Sequence, residues 1–328
     1  MCHGYSKKCC RRRGKLFHLL QRALKAPHRL ILTQGTGDLG KVIVEKLLAA
    51  GDFKVRVLCR TMTDMSNGVR VIVVDYSNPI ALQTALKGVD AVVCAMSGHV
   101  TEGQAQLLNA AIKAGVSRFI PSQWGGDTRS EAMAAIPLAK PKRDNAALVH
   151  EKAREGKISY TFFTGGPWIE YIMGWKTMMS VPTSTFYMHE NPDLPVPMTS
   201  RAAFGDAVVG ALRKSDETEN QYVNIELIRL SQNQAFQLAK EALPETTINI
   251  VQTSFERRYE SGARKFTTGV IDDYVVADIL AKCFFTEELL HTESSIANDL
   301  VGVQPISESS FKDILKDLFV SGRYESSR

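Results

Sequence analysis

The feature that most constrains this sequence is a short apolar run that passes directly into a glycine-rich turn and then into a helical pattern. RLILT at residues 29–33 is followed by Gln34, by glycines at 35, 37 and 40, and by helical periodicity over 38–50. Between a strand and a helix, such glycines let the backbone turn tightly and direct the unpaired N–H groups of the helix N-terminus at a bound anion. The turn therefore predicts a βαβ unit with an anion site beside its first strand.

The first half of the chain repeats this alternation of strands and helices. Helical patterns at 38–50, 78–87 and 101–114 each end at a glycine, and a fourth covers 142–155. Short β-branched runs are predicted as strands at 29–33, 54–60, 69–75, 89–95, 117–121 and 157–164. The pattern is typical of an α/β fold with a doubly wound parallel Rossmann sheet, in which ligands bind at the carboxyl ends of the strands.

The alternation is lost after residue 165. A proline-rich stretch at 181–197 is followed by predicted helices at 201–214, 231–242 and 283–291 and a strand at 221–228. The sequence thus predicts a smaller C-terminal part, α/β or mostly helical, that binds a substrate against the strand ends. We divide the chain into a basic, disordered N-terminal extension (1–28), a dinucleotide-binding domain (29–165) and a substrate-binding part (166–328) that is partly interleaved with it.

Charge is distributed unevenly along the chain. Nine of the 40 Lys and Arg residues and none of the acidic ones lie in residues 1–29, so the remainder holds 31 basic against 35 acidic residues. A mildly acidic body gives no reason to expect a nucleic-acid-binding surface. The basic extension, which holds three of the six cysteines, allows three interpretations: a solvated arm of a cytoplasmic protein, a mitochondrial presequence, or a membrane-surface anchor with acylated cysteines.

Other sequence features exclude whole classes of protein. No apolar run approaches the roughly 18 residues of a membrane-spanning helix, so no transmembrane segment is expected. Cys59, Cys94 and Cys283 occur singly in apolar stretches and are predicted to be buried thiols, and no spacing of His, Cys, Asp or Glu predicts a metal site. No nucleophile-elbow motif supports a serine hydrolase. The oligomeric state cannot be predicted from this sequence.

The residues that end the second and third strands indicate which dinucleotide is bound. The glycine spacing GxGxxG is that of a dinucleotide site, and the residues predicted to hold the cofactor in this turn are Gly35, Thr36, Gly37, Asp38, Leu39 and Gly40. About 20 residues on, where an NAD site places a carboxylate, the chain has Arg60, whose guanidinium suits a 2′-phosphate. NADP(H) is therefore the predicted cofactor. Asp75 would lie on the adenine side or cap the next helix.

A family resemblance rests on several of these segments together. They are TQGTGDLG, Arg60, VVDYSN, QAQLLNAAIKAGVSRFIPSQWGGD, ISYTFFTGGPW and MTSRAAFGDAVVGAL, the last with Asp206 in an acidic position that the family shares. AGVSRFIPSQWG is the most specific of them. Over residues 29–230 the chain resembles the NmrA-like and isoflavone-reductase-like branch of the atypical short-chain dehydrogenases, and its fungal members most of all.

The resemblance implies an NADP-binding Rossmann domain and a substrate cleft formed by the C-terminal part. Enzymatic members reduce a double bond, a quinone methide or an aromatic-linked carbonyl in small hydrophobic molecules, and many fungal members are implied to serve specialised metabolism. Other members act as redox-sensing regulators. This chain departs from the family pattern at Gln34, where the family's GxxGxxG has glycine, and at Gln123, which replaces an acidic residue.

The resemblance also implies a catalytic lysine. Classical short-chain dehydrogenases use a tyrosine four residues before a lysine, and none of the nine tyrosines here has that neighbour. The branch instead uses a lysine on the helix after the fifth strand, and Lys142 takes its place, with Lys140 on the preceding loop. Lys142 is thus predicted to contact the cofactor and to act as general acid or base. The alternative is a solvated lysine beside Arg143.

Further candidates follow three strands. Ser122, Gln123 and Trp124 end the fifth strand and are predicted to face the substrate, and Gly166 is predicted to line the nicotinamide with its backbone. Aromatic residues recur at one-face helical spacing and form either a substrate wall or part of the core; they are Trp168, Tyr171 and Trp175. His99, beyond the fourth strand, would approach the nicotinamide or point to solvent.

We therefore predict an NADPH-dependent reductase of a small hydrophobic, aromatic or polyketide-like substrate. The alternative is a non-catalytic NADP(H) sensor that regulates a protein partner. A third possibility on the same fold is a redox-neutral enzyme, such as an isomerase, because a fold does not dictate a function.

Overall fold

The structure of the protein, a computed structural model, describes residues 28–35, 37–65, 69–96, 101–174, 177–285 and 296–321. The N-terminal extension, Thr36, His99 and Trp175 lie outside these ranges. The strands are β1 (His28–Thr33), β2 (Phe53–Cys59), β3 (Arg70–Val73), β4 (Ala91–Cys94), β5 (Arg118–Ile120), β6 (Ser159–Gly165), β7 (Met179–Ser180), β8 (Thr185–Met188), β9 (Val196–Met198), β10 (Gln221–Ile225), β11 (Ile228–Leu230) and β12 (Asn249–Gln252).

Helices flank and follow these strands. They are α1 (Asp38–Ala50), α2 (Pro79–Ala85), α3 (Thr101–Ala114), α4 (Glu131–Ala134), α5 (Lys140–Arg154), α6 (Ile169–Gly174), α7 (Arg201–Arg213), α8 (Gln232–Ala242), α9 (Phe255–Thr267), α10 (Asp273–Phe284), α11 (Asn298–Val301) and α12 (Glu308–Ser321). A 3₁₀ turn, Pro137–Ala139, precedes α5.

A seven-stranded parallel sheet forms the centre of the molecule. Its strand order is β3-β2-β1-β4-β5-β6-β10, and every neighbouring pair is parallel. The predicted doubly wound α/β fold is confirmed. The chain order turns back between β1 and β4, which is where ligands bind in sheets of this kind, outside the carboxyl ends of the strands.

The strands at the centre of this sheet are buried on both faces. Leu30, Leu32 and Val93 belong to one large hydrophobic cluster, whereas Ile31 and Val92, which alternate with them, belong to a second cluster on the opposite face. Continuous apolar runs such as AVVC at 91–94 are the expected sequence of strands covered by helices on both sides. The alternation of clusters therefore follows directly from the period of a strand.

The C-terminal part contributes one strand to the central sheet and builds two small sheets of its own. The run predicted as a single strand at 221–228 divides: β10 pairs with β6, whereas β11 pairs antiparallel with β9. Strands β7, β8 and β12 form a three-stranded sheet within and after the proline-rich stretch. The C-terminal part is thus joined to the Rossmann sheet through β10.

Most of the helix predicted at 283–291 lies outside the described residues. The structure has α10 at Asp273–Phe284, preceded by α9, and residues 286–295 lie outside its described ranges. The two helices pack closely because Gly262 of α9 has no side chain: a Cβ there would lie 3.0 Å from Cβ of Asp278 and 3.0 Å from Cγ1 of Ile279. A glycine inside a helical pattern weakens a helix prediction, but here it permits the helix contact.

Helix α7 packs along α1, and three ion pairs join the two helices. Lys46 contacts Asp206 at 2.8 Å near the middle, Arg213 contacts Asp52 at 2.6 Å beyond the end of α1, and Arg201 lies 3.6 Å from Asp38 at its start. Gly205 allows the close approach, since a Cβ there would lie 2.8 Å from Cγ of Lys46. The first helix of the Rossmann unit is therefore paired with a helix of the C-terminal part.

The cysteine prediction is confirmed for the three residues that the structure describes: Cys59, Cys94 and Cys283 are buried and form no disulfide with one another. Burial raises the pKa of the Cys94 thiol to about 11.

Within the described ranges no helix is long and apolar enough to cross a membrane. In the same ranges, no group of three His, Cys, Asp or Glu residues is placed to hold a metal ion.

Candidate functional site

The glycine-rich turn begins with a residue in the left-handed region. Gln34 has a φ of 51°, and its backbone N–H donates to the carbonyl of Leu58 at the end of β2. Its own carbonyl accepts a hydrogen bond from the N–H of Gly37 at 3.0 Å. Gln34 thus adopts a left-handed conformation that costs glycine less conformational energy than it costs glutamine, and the turn closes without a glycine at this position.

The three glycines of the turn meet different surroundings. A Cβ on Gly40 would lie 2.2 Å from the Gln34 carbonyl oxygen, and one on Gly35 would lie 2.8 Å from a methyl of Val57. Among the described residues, the nearest atom to a Cβ on Gly37 would again be the Gln34 oxygen, at 3.5 Å. Gly35 and Gly40 are therefore required by packing, whereas the side-chain position of Gly37 is open.

Helix α1, which starts at this turn, lacks a side-chain cap. Gly37 is its N-cap residue and offers no acceptor, whereas the side chains of Asn78, Ser200 and Asp272 cap α2, α7 and α10. The first N–H groups of a helix have no partner within the helix and carry a partial positive charge. An anion placed over Gly37 would accept these hydrogen bonds, so the residues present fit the diphosphate of a dinucleotide. Leu39 faces the core.

The ends of β2 and β3 bring two more predicted residues to the same edge of the sheet. Arg60 is exposed, and its guanidinium makes no hydrogen bond or ion pair within the described part of the chain. It is close enough to Tyr76 to favour the ionised phenol, although burial raises the pKa of Tyr76 overall. Asp75 accepts hydrogen bonds from Ser77, which lower its pKa, and Asn78 caps α2.

Lys142 lies in the first turn of α5. The structure begins this helix at Lys140, so Lys140 is the first helical residue and not part of the preceding loop. The two lysines differ in surroundings: Lys140 is exposed and pairs with Asp144 at 2.6 Å, whereas the ammonium of Lys142 has no partner among the described residues. Burial alone lowers the pKa of Lys142. A desolvated, unpaired ammonium is suited to proton donation near neutral pH.

The three residues after β5 are engaged within the protein. The Ser122 hydroxyl donates to the carbonyl of Met96, Gln123 donates to Thr128, and the Trp124 indole donates to the carbonyl of Cys94 at 3.0 Å. Trp124 also stacks on Phe163 with a centroid distance of 5.5 Å. All three are buried; Ser122 and Trp124 tie the loop after β5 to the end of β4, and the contact of the three residues with a substrate stays a prediction.

The segment after β6 lies against β9. A Cβ on Gly166 would come within 1.7 Å of the Pro197 carbonyl oxygen, so packing requires this glycine whatever its role toward a cofactor. Trp168 and Tyr171 are half-buried against the large core cluster, and the buried indole Nε1–H of Trp168 has no hydrogen-bond partner among the described residues. An unpaired buried donor leaves one hydrogen bond available to a bound group.

The sequence did not predict a group of charges that the structure places beside the turn. Arg201 of α7 lies 3.6 Å from Asp38 and 3.5 Å from Glu170 of α6, and its backbone N–H donates to Glu170. The Arg201 side chain is 17% exposed. The three residues come from distant segments, and no spacing in the sequence indicates that they meet.

A cavity lies at the opposite end of the sheet. It has a volume of about 920 Å³ and is lined by charged and polar residues, among them Arg29, Asp90 and Arg118. Arg118 is buried there and donates to Ser159 and Thr161. Because this cavity faces the amino ends of the strands, it is not where a doubly wound sheet binds its ligand.

These features together define a Rossmann-type α/β protein with its anion-binding turn after the first strand. The sequence profile of the NmrA-like family matches residues 27–308, and the chain therefore belongs to the NmrA-like family. The family resemblance seen in the sequence is confirmed.

Relatives with names are found among fungi and plants. The chain is 31% identical over 214 residues to the oxidoreductase aprR of Aspergillus flavus, covering 62% of this chain and 70% of the relative. It is 27% identical over 255 residues to the oxidoreductase poxI of Penicillium oxalicum, covering 74% and 79%. Pinoresinol reductase 2 of Arabidopsis thaliana is 30% identical over 166 residues, covering 44% and 51%.

Similar solved structures share the fold. AtPrR2 with NADP+ and (+)-pinoresinol has a TM-score of 0.73 at 21% identity, covering 90% of this chain and 100% of that one. The ternary complex of leucoanthocyanidin reductase from Vitis vinifera has a TM-score of 0.71 at 17% identity, covering 88% and 99%.

Proposed function

We propose that the protein is an NADPH-dependent reductase of a small, largely apolar molecule, aromatic or polyketide-like. The observation that carries the proposal is Lys142, which is partly buried, has no partner among the described residues and lies at the start of a helix on the ligand side of the sheet. The uncapped α1 behind an open Gly37 supports a bound dinucleotide. The relatives named oxidoreductases and reductases support the reaction class.

Arg60 would select the phosphorylated cofactor. Its free guanidinium stands at the end of β2, where the adenine ribose lies in proteins of this fold, and it offers paired donors to a 2′-phosphate. Gly37 and the first N–H groups of α1 would hold the diphosphate. Thr36, Asp38 and Leu39 belong to the same turn, and Asp75 supports the neighbouring turn through Ser77.

NADPH supplies a hydride when it is bound. With a polarised double bond that takes up this hydride, Lys142 Nζ–H would give a proton to the atom that receives the electron pair. Water then restores the proton to Lys142. Trp168 and Tyr171 would form an apolar wall for the substrate, and the buried Trp168 N–H would donate to one of its oxygens.

Binding measurements test the cofactor site first. Calorimetric titration is expected to show NADPH and NADP+ binding more tightly than NADH, with Arg60→Ala removing the preference. Equal binding of NADH, or a preference that survives Arg60→Ala, would contradict the role of Arg60. If none of the three nucleotides bound, the reductase proposal would be refuted.

Turnover then tests Lys142. With a panel of small aromatic ketones and quinone methides, Lys142→Met is expected to lower kcat by about 10²-fold or more while NADPH affinity changes little. Lys140→Met, two residues away but exposed and ion-paired, is the matched control and should keep the rate. If Lys142→Met turned over substrate at the full rate, the lysine would have no catalytic role. NADPH binding with no turnover of any substrate would favour the sensor alternative.

The proposal includes a cytoplasmic location. Comparing the full-length chain with one that begins at Pro27 tests it: identical cytoplasmic distribution is expected, and transfer of the full-length chain to mitochondria or membranes would assign a targeting role to the basic extension.

A further inference from the structure

The dinucleotide site proposed above has a carboxylate, that of Asp38, at the place where the anionic diphosphate would bind. Asp38 is the first residue of α1, immediately after the open Gly37, so its carboxylate stands at the helix end that would receive the diphosphate. A carboxylate in the first turn favours the helix by itself, but it repels a second anion brought to the same place. Something must offset this charge if the turn is to bind a dinucleotide.

Arg201, the first residue of α7, forms an ion pair with that carboxylate. The Arg201 guanidinium lies 3.6 Å from Asp38 Oδ2 and 3.5 Å from Glu170 Oε1, and its side chain is only 17% exposed. Because the guanidinium lies between two carboxylates and is largely shielded from water, it offsets part of the charge of each. A solvated surface pair would not have this effect.

The placement of Arg201 is fixed by more than the ion pairs. It is the first residue of α7, whose N-cap Ser200 accepts from the N–H of Ala203. The backbone N–H of Arg201 donates to Glu170 Oε1 at 3.2 Å, while the buried Glu170 Oε2 has no hydrogen-bond partner in the described part of the chain. Glu170 is thus committed to holding the start of α7 beside the glycine-rich turn.

We propose that Arg201 is a positioning residue of the dinucleotide site. Its charge offsets that of Asp38, so the N-terminus of α1 accepts the anionic diphosphate. The inference rests on the proposed function. It goes beyond that function in assigning part of the cofactor affinity to α7, a helix of the C-terminal part, which makes dinucleotide binding depend on the docking of that part against α1.

A double-mutant cycle on NADPH affinity tests the proposal. Arg201→Met is expected to weaken NADPH binding by about tenfold, which is a typical coupling between neighbouring charges. Asp38→Asn is expected to bind more tightly than the wild type. The double variant should recover to within about threefold of Asp38→Asn, because the charge that Arg201 offsets is gone. A double variant as weak as Arg201→Met would overturn the proposal, as would wild-type affinity in Arg201→Met.

Ionic strength provides a second readout. If repulsion by the uncovered Asp38 carboxylate weakens binding, the deficit of Arg201→Met relative to the wild type should shrink as salt is raised, because salt screens exposed charges. A deficit independent of salt would indicate a merely structural role and contradict the proposal.

Arg213→Met is the matched control. Arg213 lies on the same helix and makes the same kind of ion pair, with Asp52, but at the far end of α1. NADPH affinity is expected to be unchanged in this variant.

If Arg201→Met fails to fold, Arg201→Lys keeps the charge and should bind NADPH within about threefold of the wild type, whereas a tenfold loss would overturn the proposal. Absence of binding by the wild type itself would refute the proposed function instead.

Discussion

At the scale of single residues, the glycines of the turn have separable roles. A Cβ on Gly40 would come within 2.2 Å of a backbone oxygen, which cannot move aside without opening the turn, whereas one on Gly37 would meet only ordinary contact at 3.5 Å. Packing therefore explains Gly40, and access for a ligand explains Gly37.

Alanine substitutions at these two positions are expected to have opposite effects. Gly40→Ala should lower the free energy of unfolding by about 1–3 kcal/mol, despite the better helix propensity of alanine, because the clash is with backbone. Gly37→Ala should change it by less than about 0.5 kcal/mol yet weaken NADPH binding. Urea unfolding and calorimetric titration measure the two quantities. A stable Gly40→Ala, or a Gly37→Ala that binds NADPH normally, would contradict this division.

Individual site residues could be predicted when a local pattern marked them. The glycine spacing located the turn, and the family resemblance singled out Lys142, whose catalytic role stays a prediction. The contacts of Arg201 with Asp38 and Glu170 could not be predicted, because three segments remote in sequence meet only after the fold has formed. The sequence likewise gave no sign that Trp124, an aromatic residue at a strand end, stacks on Phe163 inside the core.

At the scale of elements, one buried histidine joins four segments of the C-terminal part. His189 follows β8, stacks on Phe255 of α9 with a centroid distance of 4.0 Å, and lies against Phe285 beyond α10. Gln232 of α8 and Arg258 of α9 hydrogen-bond to the imidazole. Since arginine only donates, Nε2 is the acceptor, and the neutral ring bonds to both neighbours. Burial and the charge of Arg258 lower the pKa of His189 to about 4.

This histidine is expected to make the fold acid-sensitive. Because the pKa of His189 is lower in the folded protein than in the unfolded chain, the folded state binds fewer protons between pH 4 and 6.5. The contribution of the neutral His189 to the free energy of unfolding is therefore complete above about pH 6.5 and is lost as the pH falls toward 4. The loss is on the order of 3 kcal/mol. Urea unfolding across this range measures it. His189→Gln, which does not titrate, should show a flatter dependence, and an identical slope in both proteins would refute the role of His189.

Elements could be predicted where a periodic apolar pattern was continuous. The six parallel strands of the first half satisfied that condition. Helices α9 and α10 did not, because α9 mixes charged residues with Gly262 in mid-helix, although its apolar residues Phe255, Tyr259 and Phe266 lie on one face. Strand β12 is exposed at every position, so no buried face marked it in the sequence.

At the scale of the whole molecule, the two parts of the chain share one core. β10 completes the central sheet beside β6, and the largest hydrophobic cluster contains Leu30 and Ile43 of the Rossmann part together with Phe204 and Phe311 of the C-terminal part. The part predicted as a dinucleotide-binding domain, residues 29–165, thus has no separate core on that face of the sheet.

A fragment of residues 28–165 is therefore expected not to fold cooperatively. Without β10, strand β6 becomes an open edge, and without α7 the apolar face of α1 is exposed to water. Thermal unfolding followed by circular dichroism, with the full chain as reference, should show a broad transition or none. A sharp transition in the fragment would show that residues 166–328 are dispensable for folding and would contradict the shared core.

The parallel pairing of α1 and α7 also restricts how this chain can diverge. Three ion pairs of alternating polarity fix the longitudinal register of the two helices, at Asp38, at Lys46 and at Asp52. One residue inserted into α1 would rotate everything beyond it by about 100° and move those partners out of reach. If one of these helices changed in length, the other would have to change with it for all three ion pairs to be kept. The two segments, remote in sequence, would therefore vary together.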